Sequence, residues 1–351
     1  MFSIGITRTM SDTTTSSSAT SSVSSGSFSS SSSSSSSIDG EDILVLTGGE
    51  ILLFGLKLLG WTEEKLARKS KNRHEKHTQW FTCDFGANPH VVAVIFSDLQ
   101  TTDIAAAKIH SATMDDLEHL LFALHFLKTY PTEGQRQNTW HQCDRVLRDN
   151  GWDLLLRLQA LKATKIVWPT AAEIGDNVWI GTVDGTHVKT QEPNHPDFPK
   201  DSKAFSYKNS AAGVSYEIVV LLWESRIIWI NGPFLASVHD STIFAMSGGL
   251  KEKLEATGLR VIADRGYGGF SDTVTTMNSH DPPEVSKLKT RARLRQESVN
   301  AKIKTLRVTD SERFRHRGNH TDGQMKFKIC FEAAIVVTQY KMDMVEPLFD
   351  V

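Results

Sequence analysis

The stretch VWIGTVDGT, Val178 to Thr186, decides the fold. Val178, Trp179, Ile180 and Val183 are β-branched or aromatic, residue types that suit a packed pleated surface, and Gly185-Thr186 interrupts the run. The reading is a buried strand with Asp184 at its C-terminal end. Working outward, a second short apolar run, Gly258 to Ala263, stops at Asp264 and is followed by a glycine-rich turn, Arg265 to Gly269. Glu297 lies in Arg293 to Lys304, a stretch without Gly or Pro that reads as helix. Two strand-end aspartates and one helix-borne glutamate make a candidate acidic triad.

The intervening chain fits a mixed sheet. Ala211 to Leu222 and Arg226 to Ile230 read as antiparallel strands joined by Trp223-Glu224-Ser225, and Leu250 to Ala256 as a helix. Gln191 to Asp201, with three prolines, reads as a loop, and Met325 to Met342 as a buried helix beneath the sheet. Phe314-Arg315-His316 reads as a loop near the active site. This order of strands and helices is that of an α/β domain.

These residues also carry a family pattern. Asp184 falls in DGTH, Asp264 in ADRGY, and His239-Asp240-Ser241 forms an HDS element between them. Arg293, Glu297 and Lys304 stand at the offsets Arg-x3-Glu-x6-Lys, with Thr290 where the pattern has tyrosine, and 32 residues separate Asp264 from Glu297. In these motifs, taken in order, the chain resembles the DDE transposases, specifically the nuclease of PIF/Harbinger-type elements and its bacterial insertion-sequence relatives. The resemblance runs from about Val178 to Tyr340 and implies a ribonuclease H-like fold. It also implies a DNA endonuclease and transposase that cuts and joins phosphodiester bonds, acting on transposon ends and target DNA. A Myb-like DNA-binding partner and a nuclear location follow from the same resemblance; a homo-oligomer stays open.

Carboxylates gathered at short range cannot all stay ionised without a cation. Hard divalent ions take oxygen ligands, and a pair of them clamps both oxygens of an in-line phosphoryl displacement. Two magnesium or manganese ions are therefore expected on Asp184, Asp264 and Glu297, with Asp184 bridging. Arg293 lies one helical turn before Glu297 and Lys304 two turns after it, placed to hold phosphates or to form ion pairs on the helix surface. His187 reads as an auxiliary group or a turn histidine, and Asp240 as an auxiliary acid or a helix N-cap.

Upstream, residues 1–40 form a serine-dominated tract, uninterrupted from Ser30 to Ser37, expected to be disordered. Residues 41–168 read as a helical region, with helices over Ile43 to Lys69 and Asp115 to Lys162 and another beginning near Val91. It is either a helix-turn-helix reader of DNA or a lobe packed on the catalytic domain, residues 169–345, which begins after Trp168-Pro169. His119, His125 and His141 read as surface or packing histidines. Ile43 to Leu59 is broken by Glu50, Lys57 and three glycines, so no membrane span is expected. Cys83, Cys143 and Cys330 are widely spaced and form no CxxC pair, so neither a zinc knuckle nor a disulfide framework is indicated.

A formal net charge of -2 excludes a protein that coats nucleic acid over its whole surface. The charge is local instead: Lys287 to His320 carries eleven Lys or Arg against three carboxylates. With Arg291, Arg293, Arg295 and Lys304 among them, the segment reads as a DNA backbone track or a solvated helix face. Two rival functions share the same residues. VDGT echoes the haloacid dehalogenase phosphatases, but Thr182 stands where their nucleophilic aspartate belongs. The other rival is an inactive, repurposed transposase retained as a DNA- or protein-binding module.

Overall fold

The computed structural model describes residues 43–68, 72–105, 114–191, 202–310, 314–315 and 320–351. The serine tract and most of the proline-rich loop expected after Thr190 lie outside them.

The described chain opens with helices α1 (Gly48–Leu58), α2 (Glu63–Ala67), α3 (Arg73–Phe85), α4 (Pro89–Ala105), α5 (Met114–Thr129), α6 (Glu133–Trp140) and α7 (Asp144–Ala160). Two short turns of helix, α8 (Lys162–Lys165) and α9 (Ala171–Ile174), lead into the sheet. Local chemistry fixes several starts. Thr47, Thr132 and Thr170 cap α1, α6 and α9, each in a reciprocal box with Glu50, Gln135 or Glu173 that satisfies otherwise orphaned backbone donors.

The sheet consists of β1 (Trp179–Lys189), β2 (Phe205–Ser206), β3 (Ala211–Leu221), β4 (Ile227–Leu235), β5 (Arg260–Ile262) and β6 (Val274–Thr275). Helices α10 (Asp240–Phe244) and α11 (Leu250–Thr257) precede β5. After β6 come α12 (Pro283–Lys304), α13 (Arg307–Asp310) and α14 (His320–Met344). β3 lies between β1 and β4, antiparallel to both, while β1, β5 and β6 run parallel. This is a mixed α/β sheet with flanking helices, of the ribonuclease H-like kind.

Every residue of β3 is buried, as a central strand requires, and its alternation sorts two cores. Val214, Tyr216, Ile218 and Val220 face a core shared with the helical lobe and α14. Val219 and Leu221 face a smaller core with Phe244, Leu254, Val261 and Tyr267. Helix α14 is the common support: Tyr216 stacks on Phe331 with ring centroids 4.0 Å apart, and Phe327, Ala334 and Val337 are fully buried. The helices before Trp168 and the sheet after it thus share one apolar core within one compact unit. Among the described residues no helix is long and apolar enough to cross a membrane.

One expectation about β1 is corrected. The strand does not end at Gly185-Thr186, because pairing with β3 continues to Lys189, opposite Gly213. Pairing with β5, however, stops at Thr182. Asp184 therefore sits in mid-strand yet just beyond the carboxyl end of the parallel half of the sheet.

Candidate active site

Period-two alternation puts Thr182, Asp184 and Thr186 on the β1 face that meets α12. The buried stripe of that helix includes Lys289, Ala292, Gln296, Val299 and Ile303, at helical spacing. Polar side chains join the two elements. Thr182 Oγ1 donates to Gln296 Oε1 at 2.8 Å, Thr186 Oγ1 donates to Asn300 Oδ1 at 2.9 Å, and Asn300 Nδ2 donates to Asp184 Oδ2 at 2.9 Å. The backbone N–H of Gly185 donates to the other Asp184 oxygen at 2.9 Å.

Asp264 follows β5 by two residues, as expected, and accepts from Gly266 N at 2.8 Å, which fixes the turn Arg265–Tyr267. Asp240 reaches β1 from the opposite face. It is the first residue of α10, with His239 as the N-cap, rather than itself the cap. A Cβ on Gly185 would lie 2.6 Å from Asp240 Cγ, so only glycine leaves room for this approach. The glycine of DGTH is there because a carboxylate occupies its side-chain space.

The electrostatics follow from this crowding. Burial, then the charge of Asp240, with a further contribution from Asp264, pushes the Asp184 carboxyl up to about 6, against the opposing hydrogen bonds from Gly185 and Asn300. Burial also raises Asp240, with Asp264 adding to it and Lys208 opposing. Directly across from Gly185 on β3 stands Glu217, 1% exposed, its Oε2 accepting from Trp229 Nε1 at 3.0 Å. Burial pushes it to about 7. Its Oε1 and the buried hydroxyl of Tyr267 find no hydrogen-bond partner among the described residues.

Glu297 lies on α12 between Gln296 and Asn300, the two residues that anchor this helix to β1, and its own side chain is exposed. Arg293 and Lys304 are exposed as well. Arg295 is not available to DNA, which corrects that assignment: it is 2% exposed and donates to the carbonyls of Glu224 at 2.6 Å, Leu221 at 3.3 Å and Phe349. Arg291 bonds the Asp350 carbonyl, with Nε at 3.0 Å. Much of the basic stripe is thus structural, since Lys289 pairs with Asp281 at 2.8 Å and Lys302 with Glu346 at 3.0 Å. His187 is half-buried, with its ring beside Gly213. Burial first, then Lys189, Lys304 and Lys208, lowers its pKa, so it stands as a neutral ring in a basic setting.

The all-oxygen donor set suits a hard divalent cation, which would relieve the crowding that raises Asp184 and Asp240. Among the described residues no three His, Cys, Asp or Glu side chains are grouped closely enough to hold a metal ion. Thr182, the residue in the phosphatase nucleophile position, is buried with its hydroxyl committed to Gln296.

Sequence reasoning missed Asn300, Gln296 and Glu217. Signals existed for all three: two amides on the apolar stripe of α12, and a lone carboxylate in the otherwise apolar strand AAGVSYEIVVL.

Residues 183–319 match the family described as DDE superfamily endonuclease, a span that includes Asp184, Asp240, Asp264 and Glu297 and supports a transposase-type nuclease domain there. No curated protein and no solved structure matches the chain.

Proposed function

We propose that this protein is a divalent-metal-dependent DNA endonuclease of the PIF/Harbinger transposase type, with Asp184, Asp264 and Glu297 as its metal-holding carboxylates. The observation that carries the reading is the Asn300–Asp184 hydrogen bond, which pins α12 to β1 one helical turn from Glu297. Asp184 is held by two donors and Asp264 by one, so both carboxylates are oriented before any ligand arrives. Asp184, Asp264 and Glu297 would hold the cations, which would supply an activated water and offset charge on the phosphate under attack. Arg293 and Lys304, exposed on the flank of α12 that carries Glu297, hold the DNA backbone. His187, neutral, lines the same basic approach. Asp240, against Gly185, adds to the negative field that attracts the cations.

Transposon ends and target DNA are the proposed substrates, a Myb-like protein the proposed recognition partner, and the nucleus the proposed location. Assembly as a homo-oligomer belongs to the same reading.

The test is nicking of supercoiled plasmid with magnesium or manganese, with a Myb-like partner added, comparing the parent with Glu297→Ala. Metal-dependent nicking by the parent alone supports the reading; equal nicking by both proteins overturns the assignment of Glu297. A second reading, an inactive DNA-binding module, is favoured by the solvent-facing Glu297 and the lack of a closed carboxylate cluster among the described residues. It predicts DNA binding without cleavage in either protein.

A further inference from the structure

A cleft of about 710 Å³ opens in the helical lobe, apart from the carboxylates. Its walls are aromatic: Phe126, Tyr130, Trp152 and Phe314 all line it. Tyr130 and Phe314 stack at 5.6 Å, and Phe126 meets Tyr130 edge-on at 5.4 Å. Its rim is cationic, with Arg136, Arg148, Arg315 and Lys326. These cations lie over the rings: Arg315 is 4.3 Å from the Tyr130 centroid, Arg136 5.5 Å from Phe126, and Lys326 6.0 Å from Trp152.

The rim is short of negative charge. Glu133 is the carboxylate that lines it, and Asp144, beside it, is shared by Arg136 at 3.3 Å and by Arg148. Burial holds the Arg136 guanidinium below its ordinary range, and the nearby charges of Arg148 and Arg315 add to that against Glu133. Such crowding of like charges favours an anion. Flat aromatic walls add a second requirement, a ligand with a π face. A nucleobase flanked by phosphates meets both, whereas an acidic peptide uses only the rim.

We propose that this cleft binds an unpaired nucleotide of a DNA strand, its base against Trp152 and Phe126 and its phosphates on Arg148 and Lys326. The cleft is joined to the carboxylates through β1. Thr190 bridges to Phe314, whose N–H donates to Lys189 O at 3.0 Å, and Gln191, the next residue, lines the cleft. From Asp184 to Gln191 is about 23 Å of extended backbone at roughly 3.3 Å per residue. A strand held at both places spans that distance. That the strand is also a reacting one rests on the nuclease reading; the binding does not.

The full-length protein in chelator, without metal, is titrated with a short labelled single strand, with the same sequence as duplex, and with a deoxynucleoside monophosphate. The parent should bind the single strand and lose tryptophan fluorescence as it does. Trp152→Leu should weaken this binding about tenfold, within the range of one stacked base, while Trp152→Phe, which keeps a ring, should not. Arg148→Ala and Lys326→Ala should each weaken it and reduce the salt slope by about 0.7. The chelator removes metal-dependent cutting, so the binding read here is separate from the nuclease. Variants that bind the strand like the parent, or a monophosphate that binds as tightly as the strand, would each overturn the proposal.

Discussion

Asn300 holds Asp184 in place while being held itself: it donates to Asp184 Oδ2 and accepts from Thr186 Oγ1, both at 2.9 Å. One amide therefore sets the orientation of a carboxylate on β1 and the docking of α12 against that strand. Replacing such a supporting group in a metal site lowers metal affinity or activity by about 10- to 100-fold. Asn300→Ala should reduce plasmid nicking by that order and raise the metal concentration needed. Asn300→Asp, which places another negative charge against Asp184, should be worse than Ala; nicking equal to the parent in both would remove Asn300 from the site.

Gly185→Ala tests the approach of Asp240. The added methyl would sit 2.6 Å from Asp240 Cγ, so the carboxylate or the strand must shift. Overpacking of this kind costs about 1–3 kcal/mol. A lower melting temperature is expected, together with loss of nicking. Adding Asp240→Gly should restore the stability without restoring activity, and failure of that rescue would place the strain elsewhere.

Glu217 links burial to pH. Its carboxyl, raised from the ordinary range to about 7, is neutral in the folded metal-free protein at pH 5, whereas the unfolded chain has already released that proton. The stability it contributes is thus full below about pH 4.5 and lost as the pH climbs through 7. Glu217→Gln keeps an acceptor for Trp229 and removes the penalty. Its gain over the parent should be on the order of 2–3 kcal/mol at pH 8 and near zero at pH 4.5 in denaturant titrations. His125, pushed down to about 4 by burial, works in the opposite direction, so the comparison must be with the variant rather than within one protein.

The two arginines Arg293 and Arg295 should separate cleanly. Arg295→Ala strips donors from the carbonyls of Leu221, Glu224 and Phe349, and should cost about 2–4 kcal/mol in unfolding experiments while leaving DNA affinity alone. Arg293→Ala should do the reverse, with unchanged melting and a salt slope for duplex binding smaller by about 0.9. Equal loss of DNA binding in both would restore Arg295 to the backbone track.

What the sequence revealed depended on the kind of signal. The strands around Asp184 and Asp264 and the hairpin of β3 and β4 were legible because β-branched runs broken by turns report local structure directly. The mid-strand position of Asp184 was hidden, since the Gly185-Thr186 step looks like a terminator and only pairing with β3 shows otherwise. Charge was the least legible property. Eleven basic residues read as one stripe, yet helical geometry turns Lys289 and Arg295 inward while Arg293 and Lys304 face solvent. Asn300 and Glu217 were missed because their importance comes from residues on other elements: Asp184 on β1, 116 positions away, for the first, and Asp240 at the start of α10 for the second.

Helix α14 also governs how this protein is made. It supplies Phe327, Phe331, Ala334 and Val337 to the core between the helical lobe and β3, and it follows every other described helix and strand in the chain. Until it is made, Tyr216 lacks Phe327 and Phe331, its aromatic partners, and exposed apolar surface of that kind invites aggregation. A reading-frame loss between residue 298 and Phe327 would therefore leave all three candidate carboxylates encoded and yet remove the helix that the core is built on. Decay of such a gene would first show as insoluble protein.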